Sequence, residues 1–270
     1  MIKDIVVHLT GSAEDEVRLA YAEAIGARFD AHLTGLYAHI LPEVIGGDGV
    51  ALIAMEPLIE QSNEQADATL DRLVQRFDRL TMPHEVRRID AFSGMAGDAL
   101  AMEARTADLF VATRPYGDPA DAVNMEVAVL FSSGRACLFV PPKAQTPYSF
   151  GTVVLAWNGS RESARAVAEA MPFLKLAGQV IVVMVGEGEA TASGGDIARH
   201  LSRHGISAVI GMAEAGPDDA GEALLAEVRR VGAGLLVMGG YGHSRLREWI
   251  LGGTTRHILA NADVPVLMAR

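Results

Sequence analysis

Cysteine is almost absent from this sequence, and long apolar runs are absent altogether. Cys137 is the single cysteine among 270 residues, which excludes a disulfide framework and any metal site that needs several cysteines. No apolar run approaches the roughly 18 residues that a membrane-spanning helix requires. Because Met1 leads almost directly into a predicted strand, we also expect no signal peptide and a cytoplasmic location.

Several motifs of common enzymes and nucleotide-binding folds are missing as well. Ser12 and Ser160 follow glycines after predicted strands, but neither lies in the Gly-x-Ser-x-Gly pattern of many hydrolases. The chain lacks the Gly-Lys-Ser/Thr ending of a P-loop and the dinucleotide-binding Gly-x-Gly-x-x-Gly after a first strand. No nucleophile, base and acid stand out together, so the sequence predicts no catalytic residue.

The charge of the chain is negative and unevenly distributed. Half of the residues are apolar and 21% are charged, a balance typical of a folded soluble protein. The net charge is −11, with 12 Lys and Arg against 22 Asp and Glu in residues 1–146, but 11 against 12 in the remainder. A negative chain argues against nucleic acid or an anionic membrane as a partner. An anionic small ligand would be repelled less by the second part.

Two parts of the sequence resemble each other. Pro141–Pro147 is a stiff, polar link between them, and we predict two domains of one kind, 1–146 and 147–270. Three apolar segments of the first part match three of the second: Ile5–Ser12 with Val153–Ser160, Leu109–Val111 with Leu235–Val237, and Ala136–Phe139 with Pro265–Met268.

Short apolar segments alternate with helical patterns in both parts. Such strands, apolar on both faces and separated by helices, predict an α/β fold with a doubly wound, Rossmann-like parallel sheet covered on both sides. In the first part we predict a loop over Pro42–Pro57 and a helix over Glu60–Leu80 as an insertion. In the second part, the predicted strands are Val153–Trp157, Val180–Val185, Ser207–Met212, Leu235–Met238 and Val264–Ala269, and the predicted helices are Glu162–Leu174, Asp196–His204, Glu222–Arg229 and a short one after Gly252.

A glycine-rich segment follows the fourth predicted strand of the second part. It runs from Gly239 through Gly242 to Gly252-Gly253, and Thr254-Thr255 then begins the last predicted helix. Glycine lets the backbone approach a ligand closely, and the free N–H groups and dipole of a helix start favour an anion. We interpret the segment as a phosphate site. The alternative is a set of turn glycines that contact no ligand.

The spacing Gly239-x2-Gly242-x9-Gly252, ahead of a final Val-Pro-Val-Leu strand, resembles the nucleotide-binding motif of the universal stress protein family. The resemblance covers both parts as a tandem pair, with the motif intact only in the second. It implies doubly wound domains of the adenine nucleotide alpha hydrolase type and an ATP site, with or without Mg²⁺, in 147–270. By this resemblance the nucleotide is held by two groups of residues: Gly239, Gly242, Gly252, Gly253, Thr254 and Thr255 at the phosphates, and Ala156, Asn158 and Val185 at the ribose and base.

Two residues depart from the family pattern, and the first part has lost it. Gly253 stands where the family usually has Ser or Thr. Asn158 replaces an aspartate, so it can still hydrogen-bond a ribose but carries no charge. In the first part, Val123-Asn124-Met125 occupies the position of Gly252-Gly253-Thr254, and we expect residues 1–146 to bind no nucleotide. The resemblance further implies a role in stress response or regulation, pairing of the two domains through their last strands, and dimerisation of the chain.

Three other side chains could bind a metal or react, but the sequence favours a structural role for each. His200 and His204 lie four residues apart on a predicted helix but have no evident third ligand, which favours a solvated helix face over a metal site. Cys137 lies in an apolar strand, which indicates a buried core residue.

Two other functions stay open at this point. A slow ATPase or phosphotransferase would use His243 of the glycine-rich segment, or an acidic loop residue, as its base. Arg245 and Arg247 could then clamp phosphates, or could be solvated charges. A nucleotide-free interaction scaffold would instead use the insertion after Leu41 as its contact surface.

Overall fold

A computed structural model of the chain describes residues 1–43, 49–115, 125–143, 150–186, 190–215, 220–241 and 253–270. Within these residues one ten-stranded sheet carries eight helices, which confirms the predicted α/β fold. The strands are β1 (Asp4–Leu9), β2 (His32–Ile40), β3 (His84–Ala91), β4 (Leu109–Thr113), β5 (Ala136–Val140), β6 (Thr152–Ala156), β7 (Gln179–Val185), β8 (Ala208–Ala213), β9 (Leu235–Gly239) and β10 (Val266–Ala269). The helices are α1 (Asp15–Phe29), α2 (Gly49–Phe77), α3 (Ser93–Ala104), α4 (Met125–Ser132), α5 (Arg161–Leu174), α6 (Ala190–Arg203), α7 (Ala220–Arg230) and α8 (Thr254–Asn261).

The sheet is arranged almost symmetrically about its middle. The strand order is β3-β2-β1-β4-β5-β10-β9-β6-β7-β8, and neighbouring strands are parallel except at the centre. There β5 and β10 run antiparallel, with Phe139 opposite Val266 and Cys137 opposite Met268. We refer to β1–β5 with α1–α4 as the N-terminal half, and to β6–β10 with α5–α8 as the C-terminal half.

Helices cover both faces of the sheet because successive strand residues point to opposite faces and both sets are apolar. On one face, Val7 and Leu155 pack with residues of α1, α2, α5 and α6. On the other, Val6 and Val154 pack with residues of α3, α4, α7 and α8. Cys137 belongs to this second layer and is fully buried, as predicted, and burial raises the pKa of its thiol.

The insertion in the N-terminal half differs from its predicted form. Helix α2 begins at Gly49 and ends at Phe77, so most of the predicted loop at Pro42–Pro57 is helical and the helix predicted over Glu60–Leu80 starts earlier. Pro57 lies inside the helix. Gly46–Gly49 and Pro57 are strong loop signals, but the helix is long enough to lay Ala66, Leu73 and Phe77 onto the sheet. Gly49 and Pro57 are thus helical in spite of these local signals.

The two edge strands are less covered than the sequence predicts. In β8 the side chains of Val209, Ile210 and Met212 are exposed. In β3 the exposed positions carry charge instead, including Arg87. A strand at the edge has a neighbour on one side only, so helices that pack over the sheet centre leave it partly bare. No helix in the described ranges is both long and apolar enough to cross a membrane.

Candidate functional site

A cleft of about 230 Å³ opens at the carboxyl ends of β6, β7 and β9, beside the start of α8. It lies where the strand order reverses, because β7 continues on one side of β6 and β9 on the other. This is the position at which open α/β sheets bind ligands. The residues that line it are Ala156, Trp157, Asn158, Ser160, Glu162, Ser163, Val183, Val185, Ala220, Leu224, Met238, Gly239, Thr254 and Thr255.

Six of the nine residues predicted to hold a nucleotide line this cleft. They come from four separate segments of the chain: Ala156, Asn158, Val185, Gly239, Thr254 and Thr255. Gly253 is the N-cap residue of α8, next to the lining residue Thr254. Gly242 and Gly252 lie outside the described residues, as do His243, Arg245 and Arg247 of the same segment.

One wall of the cleft is apolar. Val183 and Val185 from β7, Leu224 from α7 and Met238 from β9 face it together with Ala156. Ala156 has the smallest of these side chains, and it stands at the end of the central strand β6. An aromatic ring could lie against this wall with no polar group of the lining side chains left buried beneath it.

The opposite end of the cleft is polar and includes a helix start. Thr254 is the first residue of α8, and the N–H groups of a first helical turn have no partner within the helix. The buried hydroxyl oxygen of Thr255 accepts a hydrogen bond from the backbone N–H of Tyr241 at 3.3 Å. Tyr241 has a φ of 52°, so the chain turns sharply after β9. The beginning and the end of the glycine-rich segment are therefore held next to each other.

Asn158 lies in the turn between β6 and α5. Its Oδ1 accepts a hydrogen bond from the backbone N–H of Ser160 at 3.1 Å. Ser160 is the N-cap of α5, and its Oγ accepts from the backbone N–H of Ser163 at 3.1 Å. The oxygen of the Asn158 carboxamide thus accepts one hydrogen bond from the turn, and the amide nitrogen can donate to a ligand.

Glycine is required at position 239 by packing. A Cβ atom on Gly239 would lie 2.5 Å from the backbone carbon of Glu162 and the backbone nitrogen of Ser163. These atoms belong to the first turn of α5 and cannot move as a side chain could. The absence of a side chain at this position lets the end of β9 contact the start of α5.

Glu162 is a lining residue that the sequence analysis did not single out. Its side chain is almost fully buried, and its carboxylate lies 2.6 Å from Nε of Arg161. Burial by itself raises the pKa of Glu162, but hydrogen bonds from Arg161 and from a backbone N–H outweigh it, so the pKa lies below its usual range. The sequence could have indicated Glu162 by its position, because it lies in the first turn of a helix that follows Gly-Ser. The helix dipole favours an acidic side chain there.

The equivalent place in the N-terminal half is filled by charged side chains. Arg18 of α1 is fully buried, and its guanidinium donates to Thr10 Oγ1 and Thr113 Oγ1, each at 2.8 Å, and to the carboxylate of Asp15. Asp15 also accepts hydrogen bonds from the backbone N–H groups of Thr10 and Gly11. These side chains lie at the carboxyl ends of β1 and β4, the counterparts of β6 and β9.

A buried histidine and a glutamate lie close together beside this ion pair. His8 Nδ1 is 3.2 Å from Glu126 Oε1, and the His8 ring stacks on Phe110 with the ring centroids 6.5 Å apart. Burial raises the pKa of Glu126, but His8 and then Arg18 lower it by more, so the carboxyl is held as a carboxylate. Of the segment Val123-Asn124-Met125, only Met125 is among the described residues, and it begins α4.

The histidine pair considered as a metal site lies at the C-terminal end of α6. His200 and His204 are both exposed, with ring centroids 4.8 Å apart. Among the described residues, no group of three or more His, Cys, Asp or Glu side chains could hold a metal ion.

Comparison with known proteins agrees with this architecture. The model of the universal stress protein family matches residues 203–270. The chain is 29% identical over 156 residues to the universal stress protein Slr1230 of Synechocystis sp., a match that spans 54% of this chain and half the length of that protein.

Two solved structures share the fold over nearly the whole chain. A universal stress protein from Archaeoglobus fulgidus DSM 4304 has a TM-score of 0.76 and 16% identity, covering 99% of this chain and 96% of that one. A protein of unknown function from Pseudomonas aeruginosa PAO1 has a TM-score of 0.61 and 16% identity, covering 99% and 92%. Residues 203–270 thus match the universal stress protein family, and nearly the whole chain has the fold of a universal stress protein.

Proposed function

We propose that the cleft of the C-terminal half binds ATP, and that the chain acts through this bound nucleotide in stress response or regulation. The observation that carries the proposal is the convergence of Ala156, Asn158, Val185, Gly239 and the start of α8 on one cleft at the strand-order reversal. An apolar wall faces a helix start across that cleft, as a molecule with an aromatic base at one end and phosphates at the other requires.

The chemistry of each end supports this orientation. The base would lie against Ala156 and Val185, the ribose near the amide nitrogen of Asn158, and the phosphates near Thr254 and Thr255. Mg²⁺ would enter with the phosphates, because it is usually held by phosphate oxygens and one or two carboxylates. Glu162 is the one carboxylate among the described residues that line the cleft.

The proposal includes that residues 147–270 bind the nucleotide and residues 1–146 do not. In the N-terminal half, Arg18 and Glu126 fill the space that the cleft occupies in the C-terminal half. We therefore propose one nucleotide per chain. Hydrolysis of that nucleotide by way of His243 is a second, separate hypothesis, which a His243→Ala variant with no change in phosphate release would overturn.

The test places a negative charge at the phosphate end of the cleft. In Thr254→Glu the new carboxylate should repel the phosphates, while it suits the N-terminal dipole of α8 and so leaves the fold intact. The matched control is Met125→Glu, because Met125 begins α4 as Thr254 begins α8. The measurement is isothermal titration of ATP·Mg into nucleotide-free protein, after any co-purified nucleotide has been identified in denatured samples.

We expect one ATP per chain in the wild type and in Met125→Glu, and binding at least tenfold weaker in Thr254→Glu. Equal affinity in all three proteins would move the site away from this cleft. Absence of ATP binding to the wild type at millimolar concentration would overturn the proposal and favour the interaction scaffold.

A further inference from the structure

Ser62, His39 and Asp90 form a hydrogen-bonded chain in the N-terminal half. The Oγ of Ser62 lies 2.8 Å from Nε2 of His39, and Nδ1 of His39 lies 2.6 Å from Oδ1 of Asp90. Ser62 is on α2, and the other two residues are on β2 and β3. The order hydroxyl, imidazole, carboxylate and the two distances are those of a serine nucleophile with its base and orienting acid.

The sheet brings these residues together at the edge where α/β folds carry out chemistry. His39 and Asp90 are direct neighbours in the register of β2 and β3, one residue before each strand ends. Both strands are two residues longer than their counterparts β7 and β8, at nine and eight residues against seven and six. The extra residues carry His39 and Asp90 beyond the length of the other half. Ser62 comes from the inserted helix, so the whole group belongs to features that only the N-terminal half possesses.

The charges around the imidazole favour the proton arrangement that activates a serine. Burial raises the pKa of Asp90, but hydrogen bonds from His39 and Arg88 lower it by more, so Asp90 is a carboxylate. Arg88 also approaches Nδ1 of His39, with Nη2 at 3.0 Å, and donates to Asp90 and to Asn63. Nδ1 lies nearer to the carboxylate than to the guanidinium, and a carboxylate can only accept. Nδ1 then donates to Asp90, and Nε2 is left to accept the proton of Ser62.

The exposure of Ser62 and the burial of His39 suit a nucleophile and its general base. His39 is buried and therefore fixed in position, whereas Ser62 is partly exposed and can meet a substrate. Leu58 and Ile59 precede Ser62 by one helical turn and so share its face of α2. Their side chains are 55% and 40% exposed, which provides an apolar surface next to the hydroxyl.

We propose that Ser62, His39 and Asp90 form a hydrolytic centre that acts on carboxylic esters with an apolar acyl group. Ser62 Oγ forms a bond to the ester carbonyl carbon while its proton passes to Nε2 of His39. The bond from that carbon to the alcohol oxygen then breaks, and the alcohol leaves with the proton from His39. Water hydrolyses the acyl-serine by the same steps, which returns the proton to Ser62 and releases the acid.

The surroundings of Ser62 set the expected rate. Ser62 lies in the interior of α2, where the backbone N–H groups are bonded to carbonyls of the helix and cannot also hold a developing oxyanion. We therefore expect reaction with activated esters and fluorophosphonates, at rates well below those of hydrolases with an oxyanion hole.

The first test is covalent labelling of the wild-type chain with an alkyl fluorophosphonate. Ser62 should displace fluoride and become phosphonylated, and peptide mass spectrometry locates the adduct. The second test is hydrolysis of p-nitrophenyl butyrate. Ser62→Ala and His39→Ala should lower its rate by about a hundredfold or more, and Asp90→Asn should lower it as well.

Ser93→Ala is the matched control, because Ser93 is a partly exposed serine near the end of β3. It should change neither reaction. An adduct at another residue, no adduct, or equal hydrolysis by the wild type and Ser62→Ala would overturn the proposal. Labelling of Ser62 that proceeds equally fast in His39→Ala would also overturn it. The adduct is located in the wild-type chain, so this result does not depend on the folding of any variant.

Discussion

The two halves of the sheet present the same backbone positions at the ends of their central strands, but the side chains there differ in size and charge. In the C-terminal half, Ala156 and Gly239 leave a cleft. At the corresponding positions of the N-terminal half stand His8 and Thr113, which contact Glu126 and Arg18. The registers agree, since Ile5 pairs with Leu109 as Val153 pairs with Leu235. One fold thus gives an open cleft or a closed ionic core, depending on a few residues.

This difference shows that larger, charged side chains can fill the place that a cleft occupies in the same fold. Aligning Gly11-Ser12 with Gly159-Ser160 puts Asp15 opposite Ser163 and Arg18 opposite Ala166. The charged pair therefore replaces a serine and an alanine. A buried ion pair is stable only while both partners are present, so the closed core should respond strongly to the removal of one member.

The largest expected effect comes from Arg18→Ala, which copies the residue of the C-terminal half. Asp15 would remain buried without its guanidinium, and breaking such a pair costs about 3–5 kcal/mol of unfolding free energy. Urea denaturation of wild type and variant measures the loss. The double variant Asp15→Ser/Arg18→Ala copies both residues and should be more stable than Arg18→Ala alone. A double variant that is less stable than the single one would show that the ion pair is not what holds this core.

The strand and helix pattern was predictable from the sequence because it is a local property. Val153–Leu155 and Leu109–Val111 are apolar on both faces, and that alone indicates buried parallel strands. The lining residue Gly239 could be predicted from the glycines that follow a strand, whereas Ala156, Asn158 and Val185 were predicted only by the resemblance to the universal stress protein motif. Helix α2 could not be predicted in full, since its first turns contain Gly49 and Pro57, which locally favour a loop.

Contacts between distant segments were not predictable in the same way. His39 and Asp90 are 51 residues apart, and their contact depends on the register between β2 and β3. Nothing in either segment alone predicts that register. The role of Gly239 in admitting the start of α5 is likewise a packing contact, visible only when β9 and α5 are placed together.

A smaller effect is expected from the arginine that joins the two halves. Arg114, just after β4, donates to the backbone carbonyls of Leu259 and Ala260 in the last turn of α8, with 2.7 Å to Leu259. Burial lowers the pKa of Arg114, and the charge of Asp263 opposes that effect. A cation at a helix C-terminus is favoured by the dipole, and a hydrogen bond from a charged group contributes about 1.5–3 kcal/mol. Arg114→Met should lower the unfolding free energy by that amount.

Arg270 provides the comparison for Arg114, because it extends from the C-terminal half to the N-terminal half. Its guanidinium carbon lies 4.1 Å from the ring centroid of Phe131 in α4. Arg270 is exposed, and a cation–π contact of that kind contributes about 0.5–1 kcal/mol. Urea denaturation of Arg270→Ala should thus show the smaller loss. If both variants lost the same amount, the position of Arg114 at the end of α8 would have no special effect.

The smallest expected effect is a change of stability with pH. It depends on Glu126 in the ionic core of the N-terminal half. Glu126, opposite Thr255 of the C-terminal half, is held as a carboxylate: burial raises its pKa, but His8 and Arg18 lower it by more, so the pKa lies below its ordinary value of 4.5. A pKa that is lower in the folded state adds stability above the unfolded pKa, and this stability is lost as the pH falls through the folded value. The unfolding free energy of the wild type should therefore exceed that of Glu126→Thr by a constant amount above pH 4.5, and by less as the pH falls further. Urea denaturation at a series of pH values from neutral to acid measures this difference, and Glu126→Gln, which keeps the shape of the side chain, should behave in the same way. A difference that stayed constant down to the most acidic point would mean that Glu126 titrates alike in the folded and unfolded chain, and that its pairing with His8 does not stabilise the closed half.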